Sequence, residues 1–134
     1  MSPELFSRLE ELATARIVHA AGSHLFHKGA PVRCVFAVQS GNVLVIRRSA
    51  DGDELVLQRA GAKSVVSEAS VHSRIYHCDA VALEDTTALS IRITDFFRQI
   101  STYPEFGMLW LEHLSREVQR SRARAEMLAI RSLA

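Results

Sequence analysis

Val35-Phe36-Ala37-Val38-Gln39-Ser40-Gly41-Asn42-Val43-Leu44-Val45-Ile46 sets two apolar, β-branched runs on either side of a Ser-Gly-Asn turn. A second turn, Asp51-Gly52, then leads into Glu54-Leu55-Val56-Leu57. β-Branched and aromatic side chains suit a pleated, half-buried surface. Asp-Gly between apolar runs marks a hairpin, because the turn needs positive φ. The pattern continues outward: Ile17-Val18-His19-Ala20 precedes it, and Ala80-Val81-Ala82-Leu83 and Ala88-Leu89-Ser90-Ile91 follow. Gly22, Gly29, Gly41, Gly52 and Gly61 punctuate the stretch, with Gly29-Ala30-Pro31 a further turn. Many short strands at even spacing predict a closed sandwich or barrel over residues 16–93.

Helical patterns flank it. Over residues 2–15, Ser2 is an N-cap candidate, Pro3 fits the first helical position and Glu4 the first turn. Leu5, Leu9 and Leu12 recur at helical spacing. From residue 94 the chain is helical again: Thr94-Asp95-Phe96-Phe97 reads as an N-capped short helix, and Tyr103-Pro104-Glu105 opens a long one. Phe106, Met108, Leu109 and Trp110 are expected to pack on the roll. Leu111, Leu114, Val118, Ser121, Ala125 and Leu128 then alternate spacings of three and four, a two-position heptad seam. A helix lying on its own core shows a broader apolar face, so the seam predicts a parallel coil between two copies of the chain. A terminal helix lying on the roll is the plainer account. Ser121, small and polar, fits register setting or room for a ligand.

The 134 residues suffice for a single domain, expected over residues 1–134. With 16 basic against 15 acidic residues, the net charge of +1 gives no support for DNA contact by this chain alone. Two cysteines, Cys34 and Cys78, are too few for a disulfide framework. No apolar run approaches the roughly 20 residues that span a bilayer, and the N-terminus lacks a secretion pattern. A cytoplasmic protein without membrane contact is expected. No nucleophile elbow, P-loop or metalloprotease signature appears. His24 and His27 have the wrong spacing for a shared strand face, so a cupin-like metal set is not expected. No catalytic residues and no metal ligands are predicted.

The motifs in order resemble those of Crp/Fnr-type transcription regulators, in their N-terminal cyclic nucleotide-binding-like domain. Leu25-Phe26-His27-Lys28-Gly29 is similar to its "LF-x-x-G", and Phe36-Ala37-Val38-Gln39-Ser40-Gly41-Asn42-Val43 to its "Y-x-V-x-S-G-x-V". Asp51-Gly52-Asp53-Glu54-Leu55-Val56-Leu57 resembles "D-G-x-E-x-x-L", and Ala80 to Thr86 the strand and turn closing the roll. The resemblance implies a mainly β fold with flanking helices: a double-stranded β-helix, or jelly roll, with a long C-terminal dimerisation helix. It also implies a homodimer, a small-molecule effector and control of DNA binding by a helix-turn-helix module outside these residues.

In the family a phosphate-binding cassette holds the ligand, with a Gly for close backbone approach, a Glu for the ribose and an Arg for the phosphate. The matching stretch is Val66-Ser67-Glu68-Ala69-Ser70, then Tyr76-His77-Cys78. Ser67 replaces the Gly, and Tyr76 stands at the Arg position. A cyclic nucleotide is thus implied without its cation, and the ligand stays unidentified. Arg74 lies two positions earlier as a substitute. Ser121 falls where cyclic AMP-responsive relatives supply a hydroxyl, and Arg122 offers a cation to an anionic ligand. The expected ligand-binding set is Ser67, Glu68, Ala69, Ser70, Arg74, Tyr76, His77, Cys78, Ser121 and Arg122. Two alternatives stay open: a haem, metal or redox sensor using His72, His77, Cys78 and Asp79, and a ligand-free dimerisation scaffold with Tyr76 filling the pocket.

Overall fold

In the computed structural model, which describes residues 1–133, the chain opens as its first residues predict. Ser2 Oγ accepts the Leu5 N–H at 3.2 Å, and α1 (Pro3–Leu12) turns Leu5, Phe6 and Leu9 inward. Eight strands follow: β1 (Ala15–His19), β2 (His24–Phe26), β3 (Cys34–Ser40), β4 (Val43–Arg48), β5 (Glu54–Ala60), β6 (Ser64–Val66), β7 (Asp79–Ala82) and β8 (Thr86–Arg92). A 3₁₀ turn, Glu68–Ser70, lies between β6 and β7. Helices α2 (Ile93–Thr102) and α3 (Pro104–Leu133) complete the order. Ala134, the last residue of the expected helical region, lies outside the described residues.

The strands form two antiparallel four-stranded sheets, β1-β8-β3-β6 and β2-β7-β4-β5. Consecutive strands alternate between the sheets over much of the chain, which is the jelly-roll arrangement expected from the motifs. Strand β3 shows why both faces need apolar residues. Val35 and Ala37 face a cluster built with Leu5, Leu9, Leu89, Ile91, Phe96, Phe106 and Trp110 from the helices and β8. Val38 points the other way, into a cluster with Phe26, Val43, Val45 and Ala80 from the second sheet, Val66 from β6 and Tyr76 from the segment before β7. Period-two alternation thus places the first sheet between the helices and its partner sheet.

Two expected details change. Helix α2 begins at Ile93 with Arg92 in the cap position and no side-chain cap, so Thr94 is already inside the helix. Phe106 and Trp110 are buried as expected, but Met108 is 64% exposed. Helical geometry explains the latter, since Met108 is offset by two from both buried aromatics and faces away from them.

Tyr76 belongs to the core. Its ring stacks on Phe26 with centroids 3.7 Å apart, and its hydroxyl donates to the Cys34 carbonyl at 3.1 Å. Burial, with lesser contributions from Cys34 and Cys78, pushes the phenol's pKa well above its usual value. The neutral ring is a satisfied core residue.

Gly41 is the turn that the fold depends on most directly. Its φ is +104°, and a Cβ there would lie 2.7 Å from the Thr86 backbone Cα. Thr86 is fully buried and its Oγ1 accepts the Asn42 N–H at 3.2 Å. Gly52 has a similar φ of +87° but open space around it. Gly41→Ala is therefore expected to lower unfolding stability by at least about 2 kcal/mol, combining backbone strain with a clash that displaces β8, against about 1 kcal/mol for Gly52→Ala. Urea denaturation of the two variants checks the difference.

Candidate functional site

Ser67 turns the chain out of β6 in the left-handed region, with φ 58° and ψ 55°. A non-glycine residue there is strained by roughly 1 kcal/mol and persists when neighbours fix it. Gln58 on β5 does so. Its Oε1 accepts the Ser67 N–H at 2.8 Å, while its Nε2 donates to the Val65 carbonyl at 2.9 Å and to Glu68 Oε1 at 2.8 Å. Ser67 Oγ lies 3.1 Å from Ser70 Oγ and 3.8 Å from Cys78 Sγ. The cassette is thus held in place by one amide side chain and a small hydroxyl–thiol cluster.

The other carboxylate oxygen of Glu68 reaches α3. Its Oε2 is 2.7 Å from His113 Nε2, and the two side chains are 9% and 4% exposed. An ionised carboxylate only accepts, so Nε2 carries the proton and donates. His113 Nδ1 is buried and has no partner. Phe106, Trp110, His113 and Glu117 follow one another at helical spacing on the roll-facing side of α3, and the His113 ring lies 5.4 Å from Trp110.

Between cassette and helix is a cleft of about 710 Å³. One wall is Ser67, Glu68, Ala69, Ser70, His77 and Cys78, with Val45, Arg47, Leu57 and Gln58 from β4 and β5. The other is Leu114, Glu117, Val118, Ser121, Arg122, Arg124 and Ala125 of α3. Three guanidinium groups therefore border it against two carboxylates, both already engaged: Glu68 by His113 and Gln58, and Glu117 by Arg120 at 2.6 Å. Arg47 Nε donates to the His77 carbonyl at 3.2 Å, and Arg124 Nη1 to the Leu57 carbonyl at 3.0 Å. Arg122 takes part in no ion pair among the described residues.

Of the ten residues expected from the sequence, eight line this cleft. Arg74 and Tyr76 do not. Arg74 is exposed, and its carbonyl accepts from Val32. Tyr76 goes into the core against Phe26 because an aromatic ring gains more there than beside guanidinium groups and water. It does not line the cleft that the scaffold alternative has it fill. His72, His77, Cys78 and Asp79 are not gathered together. His72 packs on Phe97, with centroids 4.8 Å apart, while Asp79 accepts from the Lys28 N–H at 2.7 Å. Cys34 is half-buried, and burial raises its thiol pKa, opposed in part by Arg92. Arg47, Gln58, His113, Glu117 and Arg124 were not expected. The helical stripe through Phe106 and Trp110 pointed to His113. Arg47 follows Val45 by two on β4, so regular alternation places both on the cleft wall.

Along the predicted seam, Leu114, Val118, Ser121 and Ala125 border the cleft. Leu111 and Leu128 are 55% and 59% exposed. No helix among the described residues is long and apolar enough to cross a membrane.

A family model described as "Cyclic nucleotide-binding domain" matches residues 16–103. A search of curated proteins found no significant match. Among solved structures, the catabolite activator protein of Thermus thermophilus is similar, with a TM-score of 0.77 at 23% identity, over 96% of this chain and 61% of that one. The chain thus spans less than two thirds of that protein's length. The c-di-GMP responsive global regulator CLP of Xanthomonas campestris gives a TM-score of 0.78 at 20% identity, over 96% of this chain and 65% of that one. The sensor domain of the regulator DNR from Pseudomonas aeruginosa gives 0.72 at 20% identity, over 90% of this chain and 81% of that one. These likenesses establish the fold, and the match over residues 16–103 establishes the family. The chain belongs to the cyclic nucleotide-binding domain family, and its structural neighbours are Crp/Fnr-family transcription regulators.

Proposed function

We propose that the chain is the effector-sensing and dimerisation domain of a Crp/Fnr-type regulator, taking a small anionic ligand between cassette and α3. The observation that carries this is the cleft itself: about 710 Å³, walled on opposite sides by the cassette and the long helix and bordered by Arg47, Arg122 and Arg124. An anion there pairs with guanidinium groups that the sequence supplies from β4 and α3, in place of the Arg replaced by Tyr76. Ser121 adds a hydroxyl. Glu68 is less available than a ribose-binding carboxylate needs to be, since His113 and Gln58 already engage both its oxygens. A ligand that uses Glu68 has to compete with His113, and that competition is how it would move α3.

The family and fold are those of regulator sensor domains, which are not enzymes. Contact with DNA is proposed only through a separate helix-turn-helix module. The dimer reading rests on Leu111 and Leu128, large apolar groups of the predicted seam left exposed on α3. Paired helices would cover them, and a ligand bridging cassette and helix would then alter the geometry of the pair.

Three outcomes are expected. Calorimetry against cyclic AMP, cyclic di-GMP and small phosphorylated or carboxylated metabolites yields at least one binder. Arg122→Ala weakens it by about tenfold or more, the loss of one charge-assisted contact; the absence of any binder contradicts the reading. Leu111→Glu combined with Leu128→Glu converts a dimer into a monomer in light scattering without loss of secondary structure, because neither residue belongs to the core. A double-mutant cycle of Glu68→Gln and His113→Ala in denaturant gives a coupling of at least about 1 kcal/mol, as expected for a buried hydrogen-bonded pair.

A further inference from the structure

Away from the cleft, three side chains that bind metals come together where the sequence says they should not. On a regular strand, residues three apart face opposite sides, which sets His24 and His27 apart. The pairing of β2 with β7 is irregular, with His24 opposite Val81 but Phe26 opposite Ala80. That bulge adds a residue to β2 and reverses the alternation beyond it. The two imidazoles consequently stack, with centroids 4.1 Å apart and planes 14° from parallel. Asp79, the first residue of β7, joins them: one ligand atom from each of His24, His27 and Asp79 lies within 4.8 Å of the others.

The carboxylate is already oriented. Its Oδ1 accepts the Lys28 N–H at 2.7 Å, the kind of outer contact that fixes a ligating group. Asp79 is in no ion pair among the described residues, so its charge is not neutralised by an arginine or lysine side chain. We propose that His24, His27 and Asp79 form a site for a borderline divalent transition metal, zinc being the natural probe. Two imidazoles and one carboxylate suit zinc and disfavour magnesium or calcium, which take oxygen ligands. Three protein ligands leave the fourth tetrahedral position to water. Tetrahedral bonds of about 2.0–2.1 Å set neighbouring ligand atoms roughly 3.3 Å apart, so the site has to contract. Parallel rings cannot both hold one ion in their planes, and His27, the exposed member, is the one that turns. Because Asp79 directly follows the cleft residues His77 and Cys78, an ion there ties the end of β2 to the floor of the cleft.

Calorimetric titration of metal-free protein with zinc chloride tests the site. One ion per chain is expected, with affinity reduced by about tenfold or more in His24→Ala and in His27→Ala. Cobalt(II) is expected to shift and broaden the imidazole NMR signals of His24 and His27 and to leave those of the other four of the six histidines in place. The NMR readout needs no variant to fold. Absence of binding overturns the proposal, as does an affinity in both variants equal to that of the unsubstituted protein. Loss of binding in Glu117→Gln with retention in His27→Ala would place the ion at Glu68, His113 and Glu117 and overturn it equally.

Discussion

Glu68 Oε2 and His113 Nε2 meet at 2.7 Å in a place where both side chains are almost wholly out of water. A buried carboxylate is tolerated only when its oxygens are hydrogen-bonded, and this one has His113 on one oxygen and Gln58 on the other. The same Gln58 accepts from Ser67 and so fixes the left-handed turn that shapes the cassette. Cassette, β5 and α3 are therefore joined through one carboxylate. A change at Glu68 is felt simultaneously by the strand pair below it and the helix above it.

That connection gives the cleft its character. Its walls belong to parts of the chain some fifty residues apart, and the contact joining them is polar and directional rather than a broad apolar seal. Apolar packing anchors the first third of α3, through Phe106 and Trp110 with Leu109 and Leu114 beside them. From Val118 to Ser132 the residues of α3 are exposed, tethered to the roll by contacts such as Arg124 to the Leu57 carbonyl. A helix fixed at one end and lightly held at the other is well suited to shift against a roll that stays put.

Much of this was legible in the sequence, for physical reasons. Gly41 and Gly52 announced turns because only positive φ closes them, and Val35 to Val38 announced a strand by its β-branched and aromatic residues. Ser2-Pro3 announced a helix start. The cassette residues Ser67 to Ser70, which border the cleft, were picked out only through the resemblance to the family's cassette. What was not legible depends on three-dimensional context. Tyr76 was read at a site position, whereas its ring fits a slot against Phe26 that no local pattern reveals. The pair His24–His27 was misjudged because the bulge in β2 reverses the alternation on which strand-face reasoning depends. His113 falls within the predicted long helix, but its partner across the fold could not be read from helical spacing.

The central claim is that the cassette and α3 act as two walls of one ligand site coupled through Glu68 and His113. Backbone amide NMR during titration with the best-binding anion tests it most directly. The account predicts that signals from residues 67–70 and from residues 113–125 move together, with one midpoint. Shifts confined to one wall, or midpoints that differ between them, would contradict it.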